Sequence, residues 1–456
     1  MGDWGLVRSP LLFECRLRDD RRHPVADRSD FRSAAQHDRD RVLHSSALRR
    51  LANVTQVVDP AEGYVFHNRL THTIKVAHAA RRIAERLLIE QPEEARSLGV
   101  SPDAVEAAAL IHDLGHPPFG HIAEQELDRL VRDARLGDDF NGYEGNAQSF
   151  RIVTKLSVRS KDHPGLNLTR ATLRASIKYP WFREPDGGER ERKWGAYKQE
   201  SSDFGWVLDL YPPGDRRSAE AELMDWADDL TYAVHDLEDF FRAGLVPLDR
   251  ISINEDEQTS FLKTVFLQWE RDRHRFDPTT VKSMFDRLMK SFRGLEPYSG
   301  RKKQRASLKD TTAGFISLCV GAIGLKVPTS AAEKTVKINP DIHLIVRLLK
   351  EFTRVYVIDN PSLATQQYGK ARVIRELFEI LLEESAPETR GHSGRFRILP
   401  IRAQEVLDSD PEQESPAARS RVVADLISGL SDQEALLLHQ RLLGIRTGSV
   451  LDGLPL

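Results

Sequence analysis

The sequence predicts an all-α protein. Three observations carry this. Apolar residues recur at three- and four-residue intervals through most of the 456 residues. Helix-start and helix-stop residues bracket several of these stretches. Strand patterns are few, and runs such as 56–58 are too short to build a sheet.

The elements follow in order. Residues 72–90 set Val76, Ala80, Ile83, Ala84 and Leu87 at helical spacing, with Arg and Glu between them. Residues 102–116 open with Ser101 as N-cap, Pro102 at the first helical position and Asp103 at the positive end. Val105, Ala108, Ala109 and His112 then share one stripe, and Gly115, Pro117 and Pro118 stop the helix. A further helix spans 219–243 and is closed by Gly244. Others are expected at 339–358 and 370–384, with a pair near 416–443. Three stretches read as loops: 183–205, rich in Gly and charge; 294–310, which is basic; and 385–415, polar with several prolines. The sequence contains no internal repeat. The expected organisation is a lightly ordered arm over 1–40, a helical core over 41–260 and a helical C-terminal region over 261–456.

Composition narrows the function classes. Charged residues make up 30% and no apolar run approaches the ~20 residues of a membrane span, which predicts a soluble protein without a membrane partner. The N-terminus lacks the long apolar core of a signal peptide, and Gly2 has no Ser or Thr at the sixth position for myristoylation. Cys15 and Cys319 cannot form a disulfide framework or a cysteine zinc site, and read as free thiols in a reducing cytoplasm. A net charge of −3 excludes a polycation that coats nucleic acid, so any anionic ligand must be held by local charge.

The densest chemistry lies in IHDLGHPPFGHIAE, 111–124, which sets three histidines and two acids among apolar neighbours. His112 and Asp113 fall near the end of a core-facing helix, and imidazole nitrogen with carboxylate oxygen is a normal ligand set for a catalytic divalent ion. His72 lies on the buried stripe of its own helix. Alone it reads as a core histidine bonded to a backbone carbonyl; beside His112 and Asp113 it reads as a third ligand. A fourth is expected from MDWADDLTYAVHDLED, 224–239, where Asp225, Asp228, Asp229, Asp236, Glu238 and Asp239 are all available. A charge run is usually a solvated face, but Asp228, Tyr232 and Asp236 recur every four residues on one stripe. His112 and His116 have the spacing of a zinc protease helix, yet Asp replaces its Glu, and Gly115 and Pro117 break the helix at the second histidine.

HNRLTH at 67–72, HDLGHPPFGH at 112–121, YEGNAQSFRIV at 143–153, LNLTRATLRASIKYPW at 166–181 and ADDLTYAVHDLED at 227–239 resemble, in order, the blocks of the dGTPase-like triphosphohydrolases. These belong to the HD-domain superfamily. The resemblance covers roughly 28–445, and the PPFGH extension separates this family from most HD hydrolases. It implies an HD-domain helical bundle over 41–260, with a C-terminal extension that completes the nucleotide pocket. It implies His72, His112, Asp113 and Asp228 as metal ligands. Asp228 is chosen because relatives place Tyr four residues after the ligand and Asp four further on, which Tyr232 and Asp236 match at the deoxyribose. It implies His121 and Glu124 as the catalytic pair, Gln56 at the sugar, and Arg69, His116, Lys178, Tyr179 and Arg354 at the phosphates. LANVTQV before and through Gln56, and Tyr143 in YEGN, depart from the commoner forms and bear on base preference.

The implied reaction is hydrolysis of a deoxynucleoside triphosphate to deoxynucleoside and inorganic triphosphate. Mg2+ or Mn2+ is the expected ion, with Fe2+, Co2+ and Ni2+ as further candidates. A homo-oligomer and an allosteric nucleotide accord with the family. The basic run 300–309 is the one feature that would serve single-stranded nucleic acid, and a solvated loop is its simpler reading. The alternatives are another HD-type nucleotide phosphohydrolase, or a nucleotide- or nucleic-acid-binding regulator with a vestigial site.

Overall fold

A computed structural model describes residues 17–25, 30–57, 66–134, 142–185, 187–209, 216–330, 333–388, 398–409 and 415–449. Cys15, the N-terminal residues 1–16 and much of the 385–415 stretch lie outside them. Among the described residues the regular structure is helical apart from one small antiparallel hairpin, β1 (Ile323–Leu325) on β2 (Val336–Ile338), in the register Ile323↔Ile338, and two isolated bridges. Strands of three residues carry too little alternation to be seen in sequence.

Helix α1 (Ala34–Leu43) starts on a Ser33–Gln36 capping box, so helical order already begins inside the expected arm. Helix α2 (Arg69–Glu90) begins three residues before the expected start because Asn68 caps it, accepting from Thr71 N–H. Helix α3 (Pro102–Ile111) starts as expected, with Ser101 accepting from Ala104 N–H, but ends at Ile111, short of the expected 116. Pro117 and Pro118 explain the early end: they lack the N–H groups that Asp113 and Leu114 carbonyls would need four residues on. His112 to Gly120 therefore form a turn, and α4 (His121–Asp133) follows it. Phe119 and Gly120 both have positive φ, at 66° and 69°.

Beyond α4 come α5 (Gly145–Arg151), α6 (Arg170–Ser176) and α7 (Ala219–Thr231). The helix expected over 219–243 contains a π-helical turn at Tyr232–Asp236 before α8 (Leu237–Arg242). The wider turn bends the four-residue stripe read from the sequence, and such turns often sit at functional sites. Then follow α9 (Glu255–Arg271), α10 (Pro278–Phe292), α11 (Lys302–Gly321), α12 (Pro340–Thr353), α13 (Pro361–Glu384), α14 (Pro416–Ser428) and α15 (Asp432–Leu442).

The loop expectations need correction. The basic run is a loop only to Arg301; from Lys302 it forms the first turns of α11, whose buried positions Leu308, Thr312 and Cys319 are too sparse to mark a stripe. Within 183–205, Glu189–Arg192 and Ser201 onward are helical; within 385–415, Ile401–Asp408 is helical. Helix α13 begins at Pro361 instead of 370, because its first turns are largely exposed and only Asn360–Pro361 signals the start.

Two hydrophobic cores position the site. Helix α3 lies in the middle of the first, touching α1, α2, α6 and α7, and its alanines at 104, 107, 108 and 109 are all buried. Helices α9, α10 and α12 join the same core, stacking Phe261, Phe285, Phe292 and Phe352. The second core holds Ala123, Leu127 and Val131 of α4 against α13, α14 and α15. The HD turn thus runs from one core to the other. At its midpoint, a Cβ on Gly115 would sit 2.1 Å from Gly145 O and 2.4 Å from Ser149 N. Gly115→Ala is expected to lower stability by about 1–3 kcal/mol through overpacking. Thermal unfolding checks this, and an unchanged melting temperature would show that the contact relaxes freely.

Candidate metal-dependent active site

Four side chains from two helices and the turn converge: His72 from α2, Asp228 from α7, and His112 and Asp113 from the turn. His72 Nε2 lies 3.1 Å from Asp228 Oδ1, and His112 Nε2 lies 3.4 Å from Asp113 Oδ1 and 3.6 Å from Asp228 Oδ1. The His112 ring is oriented from behind: its Nδ1 donates to Ala109 O at 2.6 Å, which turns Nε2 toward the carboxylates. That Nε2 is buried and, among the described residues, has no hydrogen-bond partner. A buried orphan nitrogen inside a ring of carboxylate oxygens and a second imidazole fits a divalent ion.

Cations brace the two acids. Arg69 Nη1 donates to Asp113 Oδ2 at 3.0 Å, and Lys178 Nζ reaches Asp228 at 3.0 Å and Asp225 at 2.7 Å. Burial alone would raise both carboxyls, but His112 and Arg69 hold Asp113 well below the usual carboxylate range, and Lys178 and His112 do the same for Asp228. Burial also opposes charge on His112, yet Asp113 and Asp228 outweigh it and lift the imidazole to about 9.

A second group lies alongside. His121, at the first position of α4, pairs through Nδ1 with Glu124 Oε2 at 2.8 Å, while its side chain is 68% exposed. Glu124 is buried, and its other oxygen accepts from Gly145 N–H at 3.1 Å and Lys193 Nζ at 3.0 Å. Lys193 also holds Glu144 at 2.9 Å. His116 bridges the two groups: its Nδ1 is 3.1 Å from Asp113 Oδ1, and its ring meets that of His121 edge-on at 5.3 Å. Burial, then Arg69, push the His116 imidazole down to about 4, so it is neutral at neutral pH.

The chain matches the HD domain over residues 69–233 and the phosphohydrolase-associated domain over 336–441. It is 35% identical to a deoxyguanosinetriphosphate triphosphohydrolase-like protein of Streptomyces coelicolor, over 92% of this chain and 95% of that protein. Like-named proteins of Corynebacterium efficiens and Shewanella halifaxensis are 34% and 30% identical, over 91% and 93% of this chain and 92% and 95% of theirs. The chain belongs to the dGTPase-like family of HD-domain proteins. It is a metal-dependent phosphohydrolase of HD type.

The other residues that resemblance to the dGTPase-like proteins implied are placed as follows. Gln56 Oε1 is buried without a partner among the described residues. Tyr232 lies at the start of the π turn, with Lys350 Nζ 5.7 Å from its ring centroid. Asp236 is buried; desolvation, with Asp239 and Asp228 nearby, pushes its carboxyl well up, and its Oδ2 has no partner among the described residues. Tyr179 stacks under Arg217 at 5.3 Å. Arg69 and Lys178, implied at the phosphates, hold the carboxylates of the cluster. Arg354 is not brought to the cluster: among the described residues its ion-pair partners are Asp272 at 3.1 Å and Glu351 at 4.0 Å.

Sequence reasoning missed Lys193, Glu144 and Lys350 in this dGTPase-like site; Asp225 stood among the acids available as a ligand and is instead paired with Lys178 at 2.7 Å. Lys193 sits in the charge-rich stretch read as loop. Lys350, on α12, pairs with Asp229, which is adjacent to Asp228. Its one signal is the basic spacing His343, Arg347, Lys350, Arg354 along that helix.

Proposed function

We infer that this chain is a dNTP triphosphohydrolase, releasing deoxynucleoside and inorganic triphosphate. The observation that carries the reading is the adjacency of two machines: the cluster His72, His112, Asp113 and Asp228, and the His121–Glu124 pair joined to it through His116. The names borne by the relatives over nearly the whole chain support the same substrate class.

His72, His112, Asp113 and Asp228 would hold the divalent ion. When bound, the ion supplies a water made acidic enough to ionise near neutral pH and a positive charge against the α-phosphate. Arg69 and Lys178 keep Asp113 and Asp228 ionised and fixed. His116, neutral and buried, can present an imidazole to a phosphate oxygen without adding charge to the cluster. As water oxygen bonds to the α-phosphorus, the bond to the 5′-oxygen breaks. His121 donates its Nε2 proton to that oxygen, while Glu124 holds the opposite ring nitrogen. The triphosphate leaves with the negative charge, and cations along its path steady it.

The test is incubation with each dNTP and Mg2+ or Mn2+, followed by separation of products. Intact inorganic triphosphate is expected. Release of orthophosphate or diphosphate would replace this reading with another HD phosphohydrolase, and no turnover with any ion would favour a regulator.

The sugar pocket carries its own expectation. Tyr232, Asp236 and Gln56 are proposed to surround the deoxyribose, with the unpaired Gln56 Oε1 and Asp236 Oδ2 waiting for hydroxyl partners. A ring packed on the sugar leaves little room for a 2′-hydroxyl, so dGTP should exceed GTP in kcat/KM by on the order of 10²-fold. Tyr232→Ala should bring the ratio toward one. Equal efficiency in the unaltered enzyme would refute the pocket assignment.

A further inference from the structure

The turn from His112 to Gly120 has no helix of its own to satisfy its backbone, so each group must be accounted for. His112 O accepts from Ser149 Oγ at 3.2 Å, and Gly115 N–H donates to the same hydroxyl at 2.8 Å. Asp113 O accepts from His116 N–H at 3.1 Å. Gly115 O accepts from Tyr143 OH at 2.6 Å, and Phe119 N–H donates to Asp432 Oδ1 at 2.8 Å. The Leu114 and His116 carbonyls both go to one group, the Arg50 guanidinium, whose Nη2 reaches them at 2.8 and 2.7 Å. Its Nη1 donates to Leu430 O at 2.9 Å, just before α15.

Arg50 is unlike the other arginines of the site. Arg69 faces a carboxylate; among the described residues, Arg50 has no ion-pair partner and spends its donors on three backbone oxygens. Burial pushes its guanidinium down to about 10. A planar fork with fixed donor directions suits this task, and an ammonium does not. Arg50 also borders a cleft of about 500 Å³ between residues 46–53, the 151–157 segment and the C-terminal helices, lined by Ala47, Arg49, Ile152, Arg402 and Leu426 among others. Removing its side chain would therefore open a guanidinium-sized space toward solvent.

We propose that Arg50 is a positioning residue for the reaction: it fixes the segment between the His112–Asp113 pair and His121, and so sets His116 and His121 relative to the cluster. This rests on the proposed function for the roles of those histidines. His112 and Asp113 lie before the clamped carbonyls and are held separately, His112 by Ala109 and Ser149 and Asp113 by Arg69, so metal loading is independent of Arg50.

The experiment compares Arg50→Ala and Arg50→Lys with the unaltered enzyme. Both should bind the ion fully and lose kcat by roughly 10–100-fold, as for an outer-shell partner, with KM changed less. Millimolar guanidinium chloride, below denaturing levels, should restore kcat in Arg50→Ala but not in Arg50→Lys, whose side chain still occupies the space. Sodium chloride and methylammonium at the same ionic strength should restore neither. Amide hydrogen exchange over 112–124 should speed up in Arg50→Ala and slow again with guanidinium. That arm reads the turn even if no triphosphate is ever released, so failure of the proposed function and failure of the clamp are distinguishable. Unchanged kcat and exchange in both variants would overturn the clamp. So would a loss of kcat that guanidinium does not relieve, or loss of the ion. If Arg50→Ala does not fold, a fully active Arg50→Lys would overturn the clamp, and a folded, metal-loaded Arg50→Lys with the kcat loss would support it.

Discussion

His112→Ala is expected to yield a folded protein that holds no divalent ion and turns over no nucleotide. The side chain has one structural bond, to Ala109 O, and the orphan Nε2 is its only other polar group. Its loss removes one of four proposed ligands, and with it the imidazole nitrogen that faces both carboxylates, from a site that must also keep a position open for water. Asp113→Ala should be equally inactive but less stable. It strands Arg69, only 2% exposed, without its carboxylate, and breaking a buried pair costs about 3–5 kcal/mol. Elemental analysis, product release and thermal unfolding separate the two effects. Full metal occupancy with normal turnover in His112→Ala would remove it from the site.

His121→Ala should behave in the opposite way. The side chain is largely exposed and touches the fold mainly through Glu124, so the variant should fold, bind the ion and bind nucleotide. Only the chemical step should suffer, by about 10²–10⁴-fold, the range for a lost general acid. Glu124→Gln should show a smaller defect, since it turns the ring without touching the phosphate. The double variant should be little worse than His121→Ala, because the two act as one unit. Single-turnover rates decide the matter. If His121→Ala loses its ion, or if the two defects multiply independently, the histidine belongs to the cluster or the scaffold.

Much of the fold was legible because periodicity and caps agree. Ser101–Pro102 marks the start of α3 to the residue, and the apolar stripe of α2 places His72 in the interior beside His112. Where apolar residues are sparse the pattern fails: α11 buries Leu308, Thr312 and Cys319 along 20 residues, and nothing in that spacing outweighs its four cations before Asp310. The π turn at Tyr232–Asp236 has no sequence mark at all, since the same apolar residues fit either turn. At the site, close spacing within the HD turn made its histidines visible. The groups that brace them come from far away in sequence, and no periodicity connects Lys193 to Glu124 or Lys350 to Asp229.

The HD turn leaves the first core and enters the second, where Asp432 of α15 bonds Phe119 N–H and also Thr55. This sets an order of events during synthesis. By residue 228 the growing chain already has all four proposed ligands, and their core can begin to form. Asp432 lies 432 − 228 = 204 residues later, roughly 10–40 s at ordinary elongation rates of about 5–20 residues per second. Through that interval the second core beneath the His121 helix is incomplete: α13 is made part-way through it, and α14 and α15 only at its end. On the proposed roles, the nascent chain would hold its metal ligands well before His121 is set to donate a proton, which makes ion loading an early event and catalytic competence a late one.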